Sequence, residues 1–580
     1  MIKLIRFLKG FERQTILAPL FKMLEASFEL IIPLVMAAII DVGIQKADTA
    51  YIWKMCAIMI LLGLIGFICS VTAQYYAAKA TMGFGTQLRA TMFDHIQRFS
   101  YTQIDKRGTS NMITCITSDI NQAQTAVNLV LRLFLRAPFI VVGATILSAY
   151  LSLRMTLLFL LAIVGITLVI YFTMKFTVPY YKKVQNTLEE LSESIRENHV
   201  GVRVVRAFIR QKDEKKKFNE SNEKLTKFQI LAGYIAALVN PLTYVIMNAG
   251  ILGILWLGGQ EVFEGSLLQG EVVALISYMT QILLALLVMT NMIIAMTKAS
   301  ASAIRINDLL AVPIKQESRG TEEALENAVQ EQKSIEFRHV TFTYEGAAAP
   351  SLTDINLTFN EGETVGLIGG TGAGKSTLLQ LIPGFYAPER GEVLVEGIPV
   401  KDYDEQTLKQ KIGFTLQHAV LFSGTLEDNL KMGRPQATEE EMIEALERAQ
   451  AAEFVMNSQG KLQMQIAQGG QNLSGGQKQR LTIARALIRK PDILILDDSS
   501  SALDYLTESR LRHSIAAMRN DMITIIASQR VASIRHADKI IVLEDGCIEG
   551  IGTHEELLAG STVYREICHS QEVDTKAGGR

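Results

Sequence analysis

The segment Gly369-Gly370-Thr371-Gly372-Ala373-Gly374-Lys375-Ser376 lies between an apolar run, 364–368, and a stretch with helical character that begins at Ser376. It matches the pattern GxxxxGK[ST] in full, in the strand–loop–helix context that the pattern requires. Glycines let successive backbone N–H groups curve around phosphate oxygens, and the N-terminus of the helix adds its positive end. The sequence therefore predicts a phosphate-binding loop in which Lys375 contacts the β- and γ-phosphates of a nucleotide and Ser376 binds Mg²⁺.

Alternating strand and helix signals surround this loop from residue 334 to residue 570. Three short runs rich in β-branched residues, 363–370, 492–498 and 522–528, are typical of buried parallel strands. The second run ends in Asp497 and Asp498, and a carboxylate at the C-terminal end of a strand suits a water-mediated bond to Mg²⁺. We therefore expect an α/β nucleotide-binding domain over 334–570 with Asp497 as a magnesium ligand, rather than a solvated acidic pair.

The N-terminal half has a different composition, because six long apolar stretches fill it between residues 15 and 302. Over the whole chain 49% of residues are apolar, 20% are charged and the mean hydropathy is +0.21, which is typical of a protein partly in lipid. The stretches cover 15–43, 51–79, 127–150, 155–178, 230–257 and 271–297. Each reaches the roughly 20 residues that cross about 30 Å of hydrocarbon as a helix, which predicts a six-helix transmembrane domain with long cytoplasmic extensions.

The segments outside these two domains are polar or basic. Residues 1–14 alternate basic and apolar residues and predict an amphipathic helix on the membrane surface, while 303–333 reads as a linker and 571–580 as a disordered tail. Lys and Arg concentrate before the first stretch, after the second, and between the fourth and fifth. This bias predicts that both termini face the cytoplasm.

Charge and cysteine content exclude several classes of protein. The net charge of −2 provides no positive field to hold a phosphate backbone, so no nucleic acid is expected as a partner. The five cysteines show no CxxC spacing and indicate neither a disulfide framework nor a zinc site.

Charged residues inside the apolar stretches are candidates for function. Glu25 and Glu29 in the first stretch match Arg132 and Arg136 in the third in their distance from the outer face. We expect Glu25–Arg132 and Glu29–Arg136 to form two structural ion pairs. The alternative is that some of these groups face the cavity and select charged substrates.

Between the phosphate loop and Asp497 lies Leu473-Ser474-Gly475-Gly476-Gln477, which resembles the LSGGQ signature of ATP-binding-cassette (ABC) proteins. Six membrane spans ahead of one cassette resemble an ABC exporter half-transporter, and the resemblance covers nearly the whole chain. In this family two cassettes close head to tail, so that each ATP lies between the Walker motifs of one subunit and the signature of the other. The resemblance therefore implies ATP and Mg²⁺ as cofactors, a lipid bilayer, a hydrophobic or amphipathic small-molecule substrate and a second half-transporter as partner.

The remaining family motifs map onto single residues. Tyr344 matches the aromatic residue that stacks on adenine, Gln417 the Q-loop glutamine that contacts Mg²⁺, and Asp504 the end of the D-loop. The resemblance assigns nucleotide contacts to Tyr344, Gly369, Gly370, Thr371, Gly372, Ala373, Gly374, Lys375, Ser376, Thr377, Gln417, Ser474, Gly475, Gly476, Gln477 and Asp504. It assigns the metal to Ser376, Gln417 and Asp497.

Two positions depart from the family pattern where catalysis takes place. Family exporters have Glu after the Walker B aspartate and a switch histidine after the next strand, whereas this chain has Asp498 and Gln529. The shorter Asp side chain withdraws its carboxylate by about 1 Å, and a misplacement of that order costs about a hundredfold in rate. An amide can bond the γ-phosphate but cannot carry the charge of an imidazolium. Gln468 also replaces the acidic residue expected before the signature.

These features together resemble the degenerate-site half of a bacterial heterodimeric multidrug exporter. Such a subunit exports drugs or lipids across the plasma membrane, binds ATP on a weakly hydrolytic Walker side, and completes its partner's competent site with an intact signature. The alternatives are a homodimeric exporter or lipid flippase that runs slowly, and an ATP-sensing regulatory subunit that transports nothing.

Overall fold

The computed structural model describes residues 2–314, 334–518 and 522–577, and for Ile2, Ile294 and 572–577 it describes the backbone alone. The chain divides into two compact units. A helical unit comprises 2–96 and 110–312, and an α/β unit comprises 97–109 and 313–577. Residues 315–333 of the predicted linker (303–333) and 578–580, the end of the predicted tail, lie outside the described residues.

The helical unit contains all six predicted spans as long helices. We call them the first to sixth spans, and they cover Glu12–Ile44, Thr49–Gln97, Thr109–Leu151, Leu153–Val200, Gln211–Phe263 and Gln269–Leu310. Each holds a window apolar enough to cross a membrane, which confirms the prediction of six membrane helices. The second span alone has 49 residues, which at about 1.5 Å per residue is more than twice the thickness of a hydrocarbon core.

The spans contain irregular segments and short helices connect them. Wider π-helical turns occur at Ile39–Ile44 in the first span and at Cys115–Asp119 and Val130–Phe134 in the third. The third span comprises these turns and the α-helices Thr109–Thr114, Ile120–Leu129 and Arg136–Leu151. Val202–Ala207 is a short helix between the fourth and fifth spans. Gln211–Ala237 and Val239–Phe263 together form the fifth span.

Three predicted boundaries differ from the structure. Residues Ile2–Leu8 form a 3-10 helix that buries Leu4 and Phe7 against the protein, and the α-helix begins only at Glu12 because Gly10 adopts a positive φ of 92°. The sixth span continues to Leu310, past the expected end at residue 302. At the other end of the chain, a helix over Thr562–Ala577 covers most of the expected disordered tail.

The described residues of the α/β unit form twelve strands. They are β1 (Ser334–Phe342), β2 (Leu352–Asn360), β3 (Thr364–Ile368), β4 (Arg390–Val395), β5 (Ile398–Pro399), β6 (Ile412–Thr415), β7 (Gly424–Thr425), β8 (Gln465–Ile466), β9 (Ile493–Asp497), β10 (Ile523–Ala527), β11 (Lys539–Glu544) and β12 (Cys547–Gly552). Strands β11-β3-β10-β9-β6 form a parallel core with β12 antiparallel at its edge, and β2-β1-β4-β5 form a separate antiparallel sheet.

Helices surround the sheets of this unit. They cover Tyr101–Arg107, Lys375–Leu381, Glu405–Lys411, Leu426–Lys431, Glu439–Arg448, Ala452–Met456, Gly475–Leu487, Tyr505–Ala516, Val531–Ile534, His554–Gly560 and Thr562–Ala577, with 3-10 turns at Lys461–Gln463 and Gln468–Gly470. The parallel register pairs Asp497 at the end of β9 with Ala527 at the end of β10. Because β3 lies on the other side of β10, the C-terminal ends of three strands meet at one edge of the sheet.

Candidate functional site

The phosphate loop connects β3 to the helix Lys375–Leu381, as the sequence predicts. Two of its glycines have no room for a side chain. A Cβ on Gly369 would lie 2.2 Å from the carbonyl oxygen of Leu543, and one on Gly374 would lie 2.8 Å from that of Ser351. Gly374 also has a φ of 97°, a left-handed conformation that favours glycine. The backbone of the loop is therefore held by its neighbours in a conformation open to a phosphate chain.

Lys375 lies inside this loop. Its Nζ donates hydrogen bonds to the carbonyl oxygens of Gly369 at 2.7 Å and Gly370 at 2.8 Å, and the residue is 8% exposed. Burial lowers the pKa of Lys375, while the nearby carboxylates of Asp498 and Asp497 act in the opposite direction. The loop thus concentrates a cation and backbone donors at one point, which is the requirement for binding a nucleotide polyphosphate.

Asp497 and Ser376 form the pair of oxygen ligands that the sequence assigns to Mg²⁺. The Ser376 hydroxyl donates to Asp497 Oδ1 at 3.0 Å, and Asp497 is 3% exposed. Burial raises the pKa of Asp497, an effect that the bond from Ser376 opposes. A hydroxyl and a buried carboxylate beside the phosphate loop are hard oxygen ligands of the kind Mg²⁺ prefers, so these residues fit the metal.

Asp498 lies at the centre of a second group of contacts. Its carboxylate lies close to the side chain of Gln417 and to the backbone of Gln529, and near the cations of Lys375 and Arg530. Burial raises the pKa of Asp498, whereas these four neighbours lower it. The fold thus brings both positions that depart from the family pattern, Asp498 and Gln529, close together at the phosphate loop.

The backbone at Asp498 and Gln529 is well anchored. The N–H of Asp498 donates to the carbonyl oxygen of Ala527 at 2.9 Å, and the residue has a left-handed φ of 45°, which Asp tolerates better than most residues. The carbonyl oxygen of Gln529 accepts a hydrogen bond of 2.7 Å from Gln571 Nε2. The side chain of Gln529 is exposed.

Tyr344 is half-buried beside the helix Lys375–Leu381, which follows the phosphate loop. Its hydroxyl lies 3.2 Å from Thr377 Oγ1, and its ring packs edge-on against Phe342 at 4.8 Å and Tyr386 at 5.3 Å. The ring is thereby fixed next to the helix that follows the phosphate loop, a position consistent with stacking on a nucleotide base. The hydroxyl of Thr377, predicted to contact nucleotide, is used by Tyr344 instead.

The signature residues lie on a separate exposed surface. Ser474 caps the helix Gly475–Leu487 through a reciprocal pair of bonds: Gln477 N donates to Ser474 Oγ at 3.3 Å, and Ser474 N donates to Gln477 Oε1 at 2.9 Å. Both Ser474 and Gly475 are exposed, so the helix presents its positive N-terminal end to solvent. Among the described residues, no hydrogen bond or ion pair joins Ser474–Gln477 to the phosphate loop.

The D-loop packs on the signature within the same chain. A Cβ on Gly476 would lie 3.0 Å from the carbonyl oxygen of Ala502. Asp504 caps the helix Tyr505–Ala516, because its carboxylate accepts a 3.0 Å hydrogen bond from Thr507 N. The structure therefore gives Asp504 a helix-capping role in this chain, on the signature side rather than at the phosphate loop.

A short helix that follows the second span belongs to the α/β unit. This helix, Tyr101–Arg107, packs on the unit through aromatic and polar contacts. Tyr101 stacks on Phe385 with ring centroids 4.4 Å apart, and the Tyr386 hydroxyl donates to Asp105 Oδ2 at 2.6 Å. Sequence reasoning missed Phe385 and Tyr386, whose signal is an adjacent aromatic pair after Gly384.

The membrane charges pair differently from the prediction. Arg136 binds Glu29 at 2.6 Å, which confirms one expected pair. Glu25 instead pairs with Lys22 on its own helix at 2.6 Å, so the expected Glu25–Arg132 pair is wrong. Lys22 is one turn from Glu25 and reaches it without bridging two helices. Arg132 retains a single 3.5 Å hydrogen bond, to Asn128 Oδ1.

Comparison with known families matches both units. A family described as "ABC transporter transmembrane region" matches residues 15–286, and one described as "ABC transporter" matches residues 352–501. An uncharacterized ABC transporter ATP-binding protein of Mycobacterium tuberculosis is 35% identical over 99% of this chain and 98% of its own length.

Two further similarities concern exporters. A putative multidrug export ATP-binding/permease protein of Bacillus subtilis is 30% identical over 99% of this chain and 100% of its own length. The solved structure of a bacterial Atm1-family ABC exporter with ATP bound matches with a TM-score of 0.80, covering 97% of this chain and 98% of that one at 21% identity. At that identity the structural match bears on the fold alone.

Proposed function

The chain belongs to the ABC transporter family, as a half-transporter with one membrane domain fused to one ATP-binding cassette, and on that premise we propose that it is one subunit of a heterodimeric exporter. In this proposal its own Walker side binds ATP and Mg²⁺ but hydrolyses slowly, and its signature completes the competent site of a different partner. The cargo is a small amphipathic molecule, a drug or a lipid, moved across the plasma membrane. Both termini lie in the cytoplasm.

The observation that carries this proposal is the contact group around Asp498. The carboxylate that has to orient the attacking water lies close to Gln417 and the Gln529 backbone, and its side chain is one methylene shorter than Glu. Gln529 supplies an amide where a protonatable imidazole would stabilise charge on the γ-phosphate. The residues that bind ATP and Mg²⁺ are present, whereas Asp498 and Gln529 replace the Glu and His that fast hydrolysis requires.

The residues have separate roles in binding the nucleotide. Lys375 and the loop N–H groups hold the phosphate chain, Ser376 and Asp497 hold Mg²⁺, and Tyr344 packs against the base. The metal, when bound, neutralises charge on the β- and γ-phosphate oxygens. The exposed N-terminal end of the signature helix is free to approach a phosphate bound to another subunit, as expected for exporters of this fold, which work as dimers.

The multidrug-export relative supports the amphipathic cargo, since it matches this chain from end to end. The two alternatives make different predictions. A homodimeric exporter or flippase would hydrolyse ATP without a second kind of chain. A regulatory subunit would bind ATP but would leave cargo flux unchanged when its signature is blocked.

The first experiment is to measure Mg-ATPase turnover of the purified chain alone in lipid nanodiscs, with Lys375→Ala as the blank. We expect ATP binding to be intact and turnover to stay near the blank. Turnover well above the blank would mean that Asp498 and Gln529 suffice for catalysis, and would favour the homodimer.

A further inference from the structure

The first and third apolar stretches, 15–43 and 127–150, contain three cations, Lys22, Arg132 and Arg136, and three carboxylates, Glu25, Glu29 and Asp41. Glu25 and Glu29 each pair with a cation at 2.6 Å, and Asp41 accepts a 2.6 Å hydrogen bond from the backbone N–H of Gly270. One cation, Arg132, is therefore left without a carboxylate among the described residues of this unit.

Arg132 is poorly satisfied within the chain. A guanidinium has five N–H donors, yet the described contacts provide a single long bond of 3.5 Å to Asn128 Oδ1. Its Nε is buried and has no hydrogen-bond partner in the part of the chain that the structure describes. A charged group in this condition inside a membrane protein is costly, and it indicates an anion that binds from elsewhere.

The backbone around Arg132 is also unusual. It lies in the π-helical turn Val130–Phe134, between the α-helices Ile120–Leu129 and Arg136–Leu151. Single π turns inside α-helices occur frequently at functional sites. Here the turn shifts the register of the third span at the position where its two arginines lie.

An apolar groove of about 680 Å³ lies along the same two spans. Leu20 and Leu24 line it from the first span, and Leu135 and Phe139 from the third. Its two hydroxyl groups, on Thr15 and Ser27, both donate to carbonyl oxygens of their own helix, so the groove offers little to a polar ligand. This volume lies within the usual range for small-molecule sites, roughly 300–1,000 Å³.

The groove and the unsatisfied arginine are neighbours along the third span. Arg132 lies in the π-helical turn three residues before Leu135, which lines the groove. We infer that this region binds the anionic head of an amphiphile through Arg132 and its apolar tail in the groove. The inference rests on the proposed export function and narrows its cargo to anionic amphiphiles, such as carboxylates with one long chain.

The test uses direct binding, which needs neither hydrolysis nor a partner. The full chain is reconstituted in nanodiscs of zwitterionic lipid, and fluorescence polarisation is measured with dodecanoic acid and dodecylamine carrying the same NBD fluorophore. Signal from empty nanodiscs is subtracted. We expect the acid to bind at least about tenfold more tightly than the amine.

Three variants assign the preference to Arg132. Arg132→Gln should abolish the difference between the probes, and Arg132→Lys should retain most of it because the positive charge remains. Arg154→Gln is the matched control, since Arg154 is 78% exposed at the start of the fourth span and away from the groove, and it should behave as wild type. Equal elution volume and equal binding of a fluorescent ATP analogue show that each variant is folded.

Several results would overturn the inference: equal affinity for both probes, no binding of either, or an unchanged preference in Arg132→Gln. Loss of dimerisation in Arg132→Gln, with probe binding unchanged, would show instead that a carboxylate of a second subunit pairs with Arg132. None of these results would affect the export proposal, because that proposal is judged by ATP turnover and by transport of any cargo with a partner.

Discussion

At the scale of single residues, the two departures from the family pattern, Asp498 and Gln529, lie close together. The Asp498 carboxylate is near Gln417 and the Gln529 backbone, and in the proposed function both departures act on one reacting water. Their effects on the rate should be coupled, because residues that contact each other seldom act additively.

The first prediction concerns restoration of these two residues. Asp498→Glu with Gln529→His should raise the ATPase rate of the chain alone by about ten- to a hundredfold, because the carboxylate moves about 1 Å towards the phosphate and an imidazolium becomes available. Steady-state phosphate release in nanodiscs measures the change, with Asp498→Asn as the inactive control. A double variant no faster than that control would show that other residues limit the rate.

The second prediction concerns the buried carboxylate of Asp497. Burial raises its pKa above the ordinary value of 3.8, so the folded state holds the proton more tightly and stability falls as pH rises from 3.8 through the raised pKa. At neutral pH the carboxylate is charged, so the full free-energy cost of burying it is present. Asp497→Asn removes the charge and should keep or raise the Tm of the nucleotide-free protein, while abolishing the further rise in Tm that Mg-ATP produces in wild type.

Differential scanning fluorimetry at pH 7 with and without Mg-ATP tests this prediction. Ser376→Ala is the control, because it removes a metal ligand without removing the buried charge. A marked loss of Tm in nucleotide-free Asp497→Asn would mean that the bond from Ser376 outweighs the cost of burying the carboxylate.

At the scale of elements, helix ends and helix pairs are held by a few polar contacts. The short helix Tyr101–Arg107 starts with a capping box between Ser100 and Gln103 and packs Tyr101 on Phe385. Tyr386 bonds Asp105 and also touches the ring of Tyr344. A series of aromatic contacts within the α/β unit therefore runs from the helix Tyr101–Arg107 to Tyr344, the residue assigned to the nucleotide base.

The third and sixth spans are joined by a buried carboxylate with an exposed partner. Asp119 is 2% exposed and accepts hydrogen bonds of 2.8 Å from Arg305 Nε and from the Ser302 hydroxyl. The Arg305 side chain is 50% exposed, so water can solvate it when the carboxylate is removed. The two halves of this ion pair should therefore respond differently to mutation.

The third prediction follows from that asymmetry. Arg305→Gln leaves a buried, uncompensated carboxylate and should lower the free energy of unfolding more than Asp119→Asn, by about 1–3 kcal/mol. Thermal unfolding of the two variants and wild type in the same nanodiscs gives the order. The opposite order would show that the hydrogen bonds to Asp119 matter more than its charge, and the double variant should lie close to Asp119→Asn.

At the scale of the whole molecule, the Walker residues and the signature form two separate surfaces. Among the described residues no hydrogen bond or ion pair joins them within the chain, and the proposed function completes each site with a second subunit. If the two ATP sites are unequal, blocking the signature and blocking the Walker side of this chain should reduce ATP hydrolysis to different extents.

The fourth prediction tests that asymmetry in the native complex, purified through a tag on this chain. Ser474→Arg should block the partner's competent site and reduce ATP hydrolysis at least about a hundredfold, since an added cation and bulk replace the cap of the signature helix. Lys375→Ala in this chain should cost far less, because it affects the slow site. Equal losses from both variants would indicate two equivalent sites and a homodimer.

Much of the architecture was predictable because its signals are local. The six spans follow from runs of apolar residues long enough to cross a bilayer, and the phosphate loop follows from the spacing of its glycines, of which Gly369 and Gly374 leave no room for a Cβ. The same holds for Ser376 and Asp497, each of which lies directly at the end of a recognisable strand or loop. The helix over Thr562–Ala577 was missed because its polar composition, read alone, resembles a disordered tail.

The fold class, the nucleotide motifs and the two departures from the family pattern could be predicted because each depends on residue type and spacing along one element. Which groups meet depends on the tertiary structure. It places Gln417 and the Gln529 backbone close to Asp498, pairs Glu25 with Lys22 rather than with Arg132, and stacks Tyr101 on Phe385. Depth along a helix can be counted from sequence, but the rotation of one helix against another depends on packing, and packing selects the partner of each charge.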